Sequence, residues 1–306
     1  MARTRKKNSK MSRRGRIALM IVGALLAALC LFMGCATVNA SILRVRRAEL
    51  TLNDLPAAFD GVRILFASDI DLCGVNTAEK AGELFTQLQA LKPDMLILGG
   101  DYTSSTLFEI LNSPDGDHQS PREQIQKRTD FFHYISAFEA PIGKFAIAAP
   151  EDIERTALAD EMSQAGVRPL FNDHMALTIG DDMLWLVGIS PEQADTSRSF
   201  NDAFQRRDCV VAISYSPELL PSILTSEAKD GGSWADLVLC GHTHGGQIRL
   251  LGQNALPLSR VERQYRRGWF DENGLPVLVT EGVGCEGVNM RVGTAPEVWM
   301  ITLRRP

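Results

Sequence analysis

Apolar and polar positions divide the chain into short buried strands separated by helices and polar turns. Val62–Ala67, Met95–Leu98, Lys144–Ala148, Cys209–Ile213 and Ala235–Cys240 are predominantly apolar runs of four to six residues, the pattern of strands covered on both faces. Between the first two, Thr77 caps a helix whose apolar face is Ala81, Leu84, Phe85, Leu88 and Leu91, and Pro93 ends it. This strand–helix–strand unit predicts parallel sheet with a right-handed crossover. Ser120-Pro121-Arg122-Glu123 forms a capping box for a helix to about Phe138, after a polar loop over Asn112–Ser120. Ala48–Leu52 alternates as an edge strand does. Met175–Ile179 and Met183–Val187 make a hairpin across Gly180-Asp181-Asp182, and Pro276–Thr280 and Glu297–Leu303 are the closing strands.

One segment breaks this rhythm. Ile17–Val38 is an uncharged apolar run of 22 residues, against the roughly 20 that a helix needs to cross the hydrocarbon. Met1–Arg16 carries eight Lys or Arg and no acid, more than the three arginines Arg44, Arg46 and Arg47 that follow the run. The imbalance predicts a cytoplasmic tail (1–16), a transmembrane anchor (17–38) and an extracytoplasmic body (39–306) at the cell membrane. Other export routes compete with a retained anchor. Val38-Asn39-Ala40 offers a small-residue cleavage site, Ser12-Arg13-Arg14 partly matches a twin-arginine signal, and Leu31–Cys35 is a poor lipoprotein box.

With a formal charge of −5 overall and a basic tail, the body is acidic, which argues against a nucleic-acid partner. The six cysteines show no CxxC spacing. Cys73 and Cys285 lie in glycine-containing loops that can meet, but buried free thiols are the simpler expectation.

The candidate chemistry falls on the strand ends. His242 and His244 follow the apolar run Ala235–Cys240 at i and i+2, between Gly241 and the Gly245-Gly246 pair. A bare HxH is often a solvated loop, but the preceding strand and the flanking glycines point to a metal site. Asp69, Asp71, Asp101, Glu151 and Tyr215 also follow strands, on the edge where α/β sheets place their ligands. Mixed carboxylate and imidazole donors suit Mn, Fe or Zn. Arg260, Arg263, Arg266 and Arg267 read as a solvated basic face.

The residues resemble the calcineurin-like metallophosphoesterases, specifically their membrane-anchored bacterial branch. The resemblance spans roughly Ala48–Leu303 and is carried by Ser68-Asp69, Gly100-Asp101, Gly241–Gln247 and the closing run VTEGVGCEGVNMRVGTAPEVWMITL. It implies an α/β fold, a four-layer α/β/β/α sandwich of two mixed sheets, and a pair of metals sharing a carboxylate that hydrolyse phosphoric esters.

This chain departs from the family pattern at three places. Asp71 stands where a histidine is expected, Ala149-Pro150-Glu151 where Gly-Asn-His is expected, and Tyr215 where a lone histidine is expected. By the resemblance, Asp69, Asp71, Asp101 and His244 form a first metal site that can still fill. The second keeps Asp101 and His242 but loses its other ligands to Pro150 and Tyr215, fewer than the three protein ligands usual at a catalytic zinc. One divalent ion is therefore expected instead of two, with Glu151 replacing the histidine that assists the leaving group. Two readings follow: a membrane-anchored phosphoesterase acting on a phosphodiester or pyrophosphate, free or lipid-linked, and a catalytically silent relative that binds a phosphorylated ligand or a protein partner at the membrane.

Overall fold

The structure is a computed structural model that describes residues 12–112, 120–152, 154–190, 203–255 and 258–306. Most of the predicted polar loop Asn112–Ser120, and His118 within it, lies outside the described residues.

Helix α1 (Arg13–Asn39) opens the described chain, its N-cap Ser12 accepting a bond from the Gly15 amide, and Ala36 is its only buried residue. It is long and apolar enough to cross a membrane. The body is built on two six-stranded sheets. In the first, β1 (Arg44–Thr51), β14 (Glu297–Arg304), β2 (Arg63–Ala67), β3 (Met95–Leu98), β4 (Gly143–Ala146) and β5 (Val167–Pro169) lie side by side in that order. β2 to β5 run parallel, and β14 is antiparallel to β2. In the second, the order is β12 (Gly268–Glu272), β13 (Leu275–Val279), β9 (Leu237–Cys240), β8 (Val210–Ser214), β7 (Asp182–Ile189) and β6 (Asp173–Ile179). Its centre is parallel and its two edge strands antiparallel.

The continuous apolar runs are explained by layering. Ile64, Phe66, Ile97, Val211, Ile213, Leu237 and Leu239 point into the core between the sheets. The residues between them point outward: Leu65, Ala67, Leu96 and Leu98 pack with α2 (Ala78–Leu88), α4 (Pro121–Ser136) and α5 (Arg155–Gln164), joining Phe85, Phe131, Phe132 and Leu158. Val210, Ala212, Val238 and Cys240 meet Leu220 and Ile223 of α6 (Leu220–Thr225) and the buried Trp234. A strand buried on both faces loses its alternation, and the four layers are α/β/β/α as expected. Thr77 and Ser120 cap α2 and α4 as predicted, Ser120 through a complete capping box with Glu123.

The differences from the sequence reading are local. β1 begins at Arg44, not Ala48, because its full length pairs in parallel with β14, from Arg44 opposite Glu297 to Thr51 opposite Arg304. β4 ends at Ala146, and Ile147 and Ala148 continue buried towards the site. Three further short elements connect the frame: α3 (Leu107–Asn112), the hairpin β10 (Arg249–Leu250)–β11 (Gln253–Asn254), and α7 (Arg260–Gln264).

Candidate metal centre

The turns after β2, β3 and β9 converge. Asp69 N–H donates to Gly100 O at 3.0 Å, Asp71 N–H to Asp101 O at 3.1 Å, and Leu72 N–H to Tyr102 O at 2.8 Å, so the first two turns are bonded to each other. The backbone there is strained. Asp69, Asp71, Asp101, His242 and His244 all have positive φ, between 48° and 75°. Side-chain-bearing residues seldom occupy that region, and such strain concentrates at functional sites. Glycines admit the close approaches: a Cβ at Gly284 would lie 2.4 Å from Asp71 Cβ and 2.3 Å from Ile70 O, and one at Gly282 2.8 Å from Asp69 Cβ.

The structure brings Asp69, Asp101 and His244 together, one potential ligand atom of each within 4.8 Å of the others. Asp71 borders this group, with Oδ2 3.4 Å from His244 Nε2. All four are buried, and Asp69 Oδ2 and both carboxylate oxygens of Asp71 have no hydrogen-bond partner. Burial lifts the Asp69 carboxyl to about 6, against an opposing pull from the His242 amide. Burial and then the neighbouring Asp69 raise Asp71, burial and then Asp71 raise Asp101, and burial and then Arg291 push His244 down, towards neutral imidazole. Orphaned buried carboxylate oxygens beside a neutral imidazole form a site short of positive charge. The donors present fit a borderline divalent cation such as Mn, Fe or Zn.

Two further buried residues hold this site in place. Asp152 accepts from the amides of Ala149, Asp101 and Tyr102 at 2.8–3.0 Å, fixing the turn that carries Asp101. Arg291 donates to the carbonyls of Glu281, Gly282 and Gly284, and its guanidinium nitrogen lies 3.3 Å from His244 Nδ1. Both act largely through backbone groups.

His242 is placed differently. Its amide donates to Asp69 Oδ1 at 2.8 Å. Both of its ring nitrogens are engaged, Nδ1 being 2.5 Å from the Tyr215 hydroxyl and Nε2 3.0 Å from Glu262 Oε1. A single tautomer satisfies both contacts, with the phenol donating to Nδ1 and Nε2–H donating to the carboxylate. Burial, then Asp101 and Glu151, push the Tyr215 phenol far up, so it stays protonated. Glu262 belongs to a second capping box, its other oxygen accepting from Ser259 N–H at 2.6 Å. The Ser259-x-x-Glu262 spacing was the available signal for it. Pro150 and Glu151 are exposed at the rim.

Cys73 and Cys285 do meet: the Cys73 thiol donates to the Cys285 carbonyl at 3.5 Å, and both are free thiols. In the basic run, Arg260, Arg263 and Arg267 are exposed, and Arg267 pairs with Glu281.

No protein-family model matches the chain. It is 29% identical over 217 residues to the phosphodiesterase YaeI of Escherichia coli, covering 69% of this chain and 71% of that one. It is 23% identical over 274 residues to an uncharacterized metallophosphoesterase of Aquifex aeolicus, covering 86% and 92%. A transmembrane protein with metallophosphoesterase domain from Danio rerio is 24% identical over 276 residues, covering 86% of this chain and 57% of the relative. The curated relatives are thus named metallophosphoesterases and phosphodiesterases, in line with the resemblance read from the motifs.

Proposed function

We propose that this chain, similar to metallophosphoesterases over most of its length, hydrolyses a phosphodiester or pyrophosphate with one divalent cation, held by Asp69, Asp71, Asp101 and His244. The observation that carries this reading is the set of orphaned buried carboxylate oxygens of Asp69 and Asp71 beside His244 and Asp101. A cation there supplies Lewis-acid polarisation of a phosphoryl oxygen and acidifies water. The chain's own residues prepare the place: Arg291 and Asp152 fix the ligand-bearing turns, and Glu151 stands on the rim where the resemblance puts a leaving-group histidine. The tail 1–16 is assigned to the cytoplasm, 17–38 to the membrane and 39–306 to the outer face, on the length of α1 and the charge imbalance across it.

A second reading is favoured by the contacts of His242. With both ring nitrogens engaged by Tyr215 and Glu262, and with Pro150 offering no side-chain oxygen, the second metal has few donors. A silent relative that binds a phosphorylated ligand or a partner at the membrane fits the same geometry.

The test is metal content per chain, measured on full-length protein purified without chelator, alongside hydrolysis of an aryl phosphodiester. One equivalent, lost in Asp101→Ala together with hydrolysis, supports the single-cation enzyme. Two equivalents overturn the single-cation reading, and one equivalent without hydrolysis supports the silent binder.

A further inference from the structure

The end of α1 is docked on the body. Ala36 O accepts from the Arg291 amide at 3.1 Å, and the Asn39 side chain donates to Arg291 O at 2.9 Å and to Thr294 O at 2.7 Å. The loop Gly287–Thr294 that receives it also carries two other segments. Leu107 N–H, at the start of α3, donates to Gly287 O at 2.6 Å, and Arg249 N–H, in the β10–β11 hairpin, donates to Val292 O at 2.8 Å.

Both segments present apolar side chains to the outside. Outside α1, eight large apolar side chains are exposed among the described residues: Ile42, Val75, Leu107, Phe108, Leu111, Met183, Leu250 and Leu251. Seven of them lie on segments that neighbour the docked end of the helix or bond to the loop that receives it. Leu107, Phe108 and Leu111 are on α3, and Leu250 and Leu251 form the hairpin tip. Ile42 follows α1 by three residues, and Val75 lines one cleft with Ala40 and Ser41. Met183 is the exception, at the start of β7, the strand end opposite the metal centre. Scattered apolar residues on a surface need no explanation, but a group gathered at one place marks an interaction face.

We infer that α3, Val75, Ile42 and the β10–β11 tip form a membrane-seating rim, embedded in the interfacial layer of the bilayer that α1 enters. The occupant is lipid because the apolar group is continuous with the end of an exposed apolar helix of membrane-spanning length, and shallow apolar insertion is how peripheral segments hold to an interface. The inference rests on reading α1 as an anchor, and it deepens the proposed function. Arg291 joins the docked helix end through its backbone and His244 through its guanidinium, so the metal centre is held close to the headgroups and phosphoesters of membrane lipids are the substrates within its reach.

The test uses full-length protein in phosphatidylethanolamine–phosphatidylglycerol vesicles with brominated acyl chains, which quench tryptophan that enters the bilayer. Leu111→Trp and Leu251→Trp are the reporters, at exposed positions that tolerate a larger side chain. Met183→Trp is the distal control and Leu26→Trp the control within α1. Emission from the four native tryptophans is subtracted using the parent chain. Loss of the added emission at 111, 251 and 26, with none at 183, is expected. Quenching at 26 without quenching at 111 and 251 overturns the seating rim and leaves the anchor standing. Quenching at 183 equal to that at 111 and 251 overturns the rim as a distinct face. No quenching at 26 overturns the anchor, and the rim with it.

Discussion

Tyr215 and His242 face each other across the ends of β8 and β9, with the phenol oxygen 2.5 Å from Nδ1, and Glu262 takes the other ring nitrogen. The imidazole therefore bridges the end of β8 and helix α7, and in the tautomer that satisfies both contacts neither ring nitrogen offers a lone pair to a cation. On the proposed single-cation reading, opening a second site requires releasing it. On that reading the triple variant Pro150→Asn, Tyr215→His, Glu262→Ala is expected to raise metal content above that of the wild type, from the proposed one equivalent towards two, read by elemental analysis. An unchanged stoichiometry would show that the second site is lost for reasons beyond these three positions.

Cation binding is expected to stabilise the folded chain, because the buried carboxylates of Asp69, Asp71 and Asp101 assemble only in the native state. At a free cation concentration of 100 times Kd, the gain is about 2.7 kcal/mol. Chelator should lower the melting temperature of the wild type and leave that of Asp101→Ala unchanged. Equal shifts in the two proteins would place the stabilising ion elsewhere.

Gly284 allows two turns to touch. Adding a Cβ there brings it within 2.4 Å of Asp71 Cβ and 2.3 Å of a backbone carbonyl, which cannot retreat as a flexible side chain would. Gly284→Ala is expected to cost on the order of 2 kcal/mol and to weaken metal retention. Gly274→Ala has open space around its Cβ although φ is +91°, so it reports the cost of backbone strain alone. Urea unfolding and metal content of both variants separate crowding at the site from backbone strain.

Asp236 lies away from the metal centre, accepts from the Val210 amide at 2.8 Å, and is raised to about 7 by burial, with that amide pulling it down and Asp54 and Asp208 adding to the rise. A carboxyl whose folded value exceeds its unfolded value of 3.8 keeps its proton in the native state while the unfolded chain has released it. Its stabilising contribution is complete below that unfolded value and is lost as pH rises to about 7. Asp236→Asn should flatten this decline and gain on the order of 2 kcal/mol over wild type at pH 8, after allowance for solvent screening. Melting temperatures of the two proteins between pH 5 and 8 provide the check, and parallel curves would reject the assignment.

The sequence made the frame legible because a strand buried on both faces reads as an apolar run, and because Thr77, Ser120 and Pro93 mark helix ends chemically. The short elements escaped notice: β5 has three residues, and β10 and β11 two each, too few for a period to emerge. The strand-end positions of Asp69, Asp101, His242 and His244 were readable, and Asp71, Pro150 and Tyr215 stood out as departures from the pattern that the resemblance implies. The direction in which the His242 ring turns was not, because it depends on Glu262, twenty residues further along the chain. The part that Arg291 and Asp152 play at the site was not legible either. Their partners are backbone carbonyls and amides, which any residue supplies, so no side-chain pattern records the contact.

The bond between Ala36 and Arg291 has a kinetic consequence. The helix ends against the loop that frames the site, with no stretch of free chain between them. A protein on a flexible leash sweeps a volume above the bilayer and meets solutes from bulk. On the proposed reading of α1 as an anchor, a body fastened in this way is confined to a thin plane, so its encounters follow the surface density of its targets and its rate should respond to dilution of those targets within the membrane.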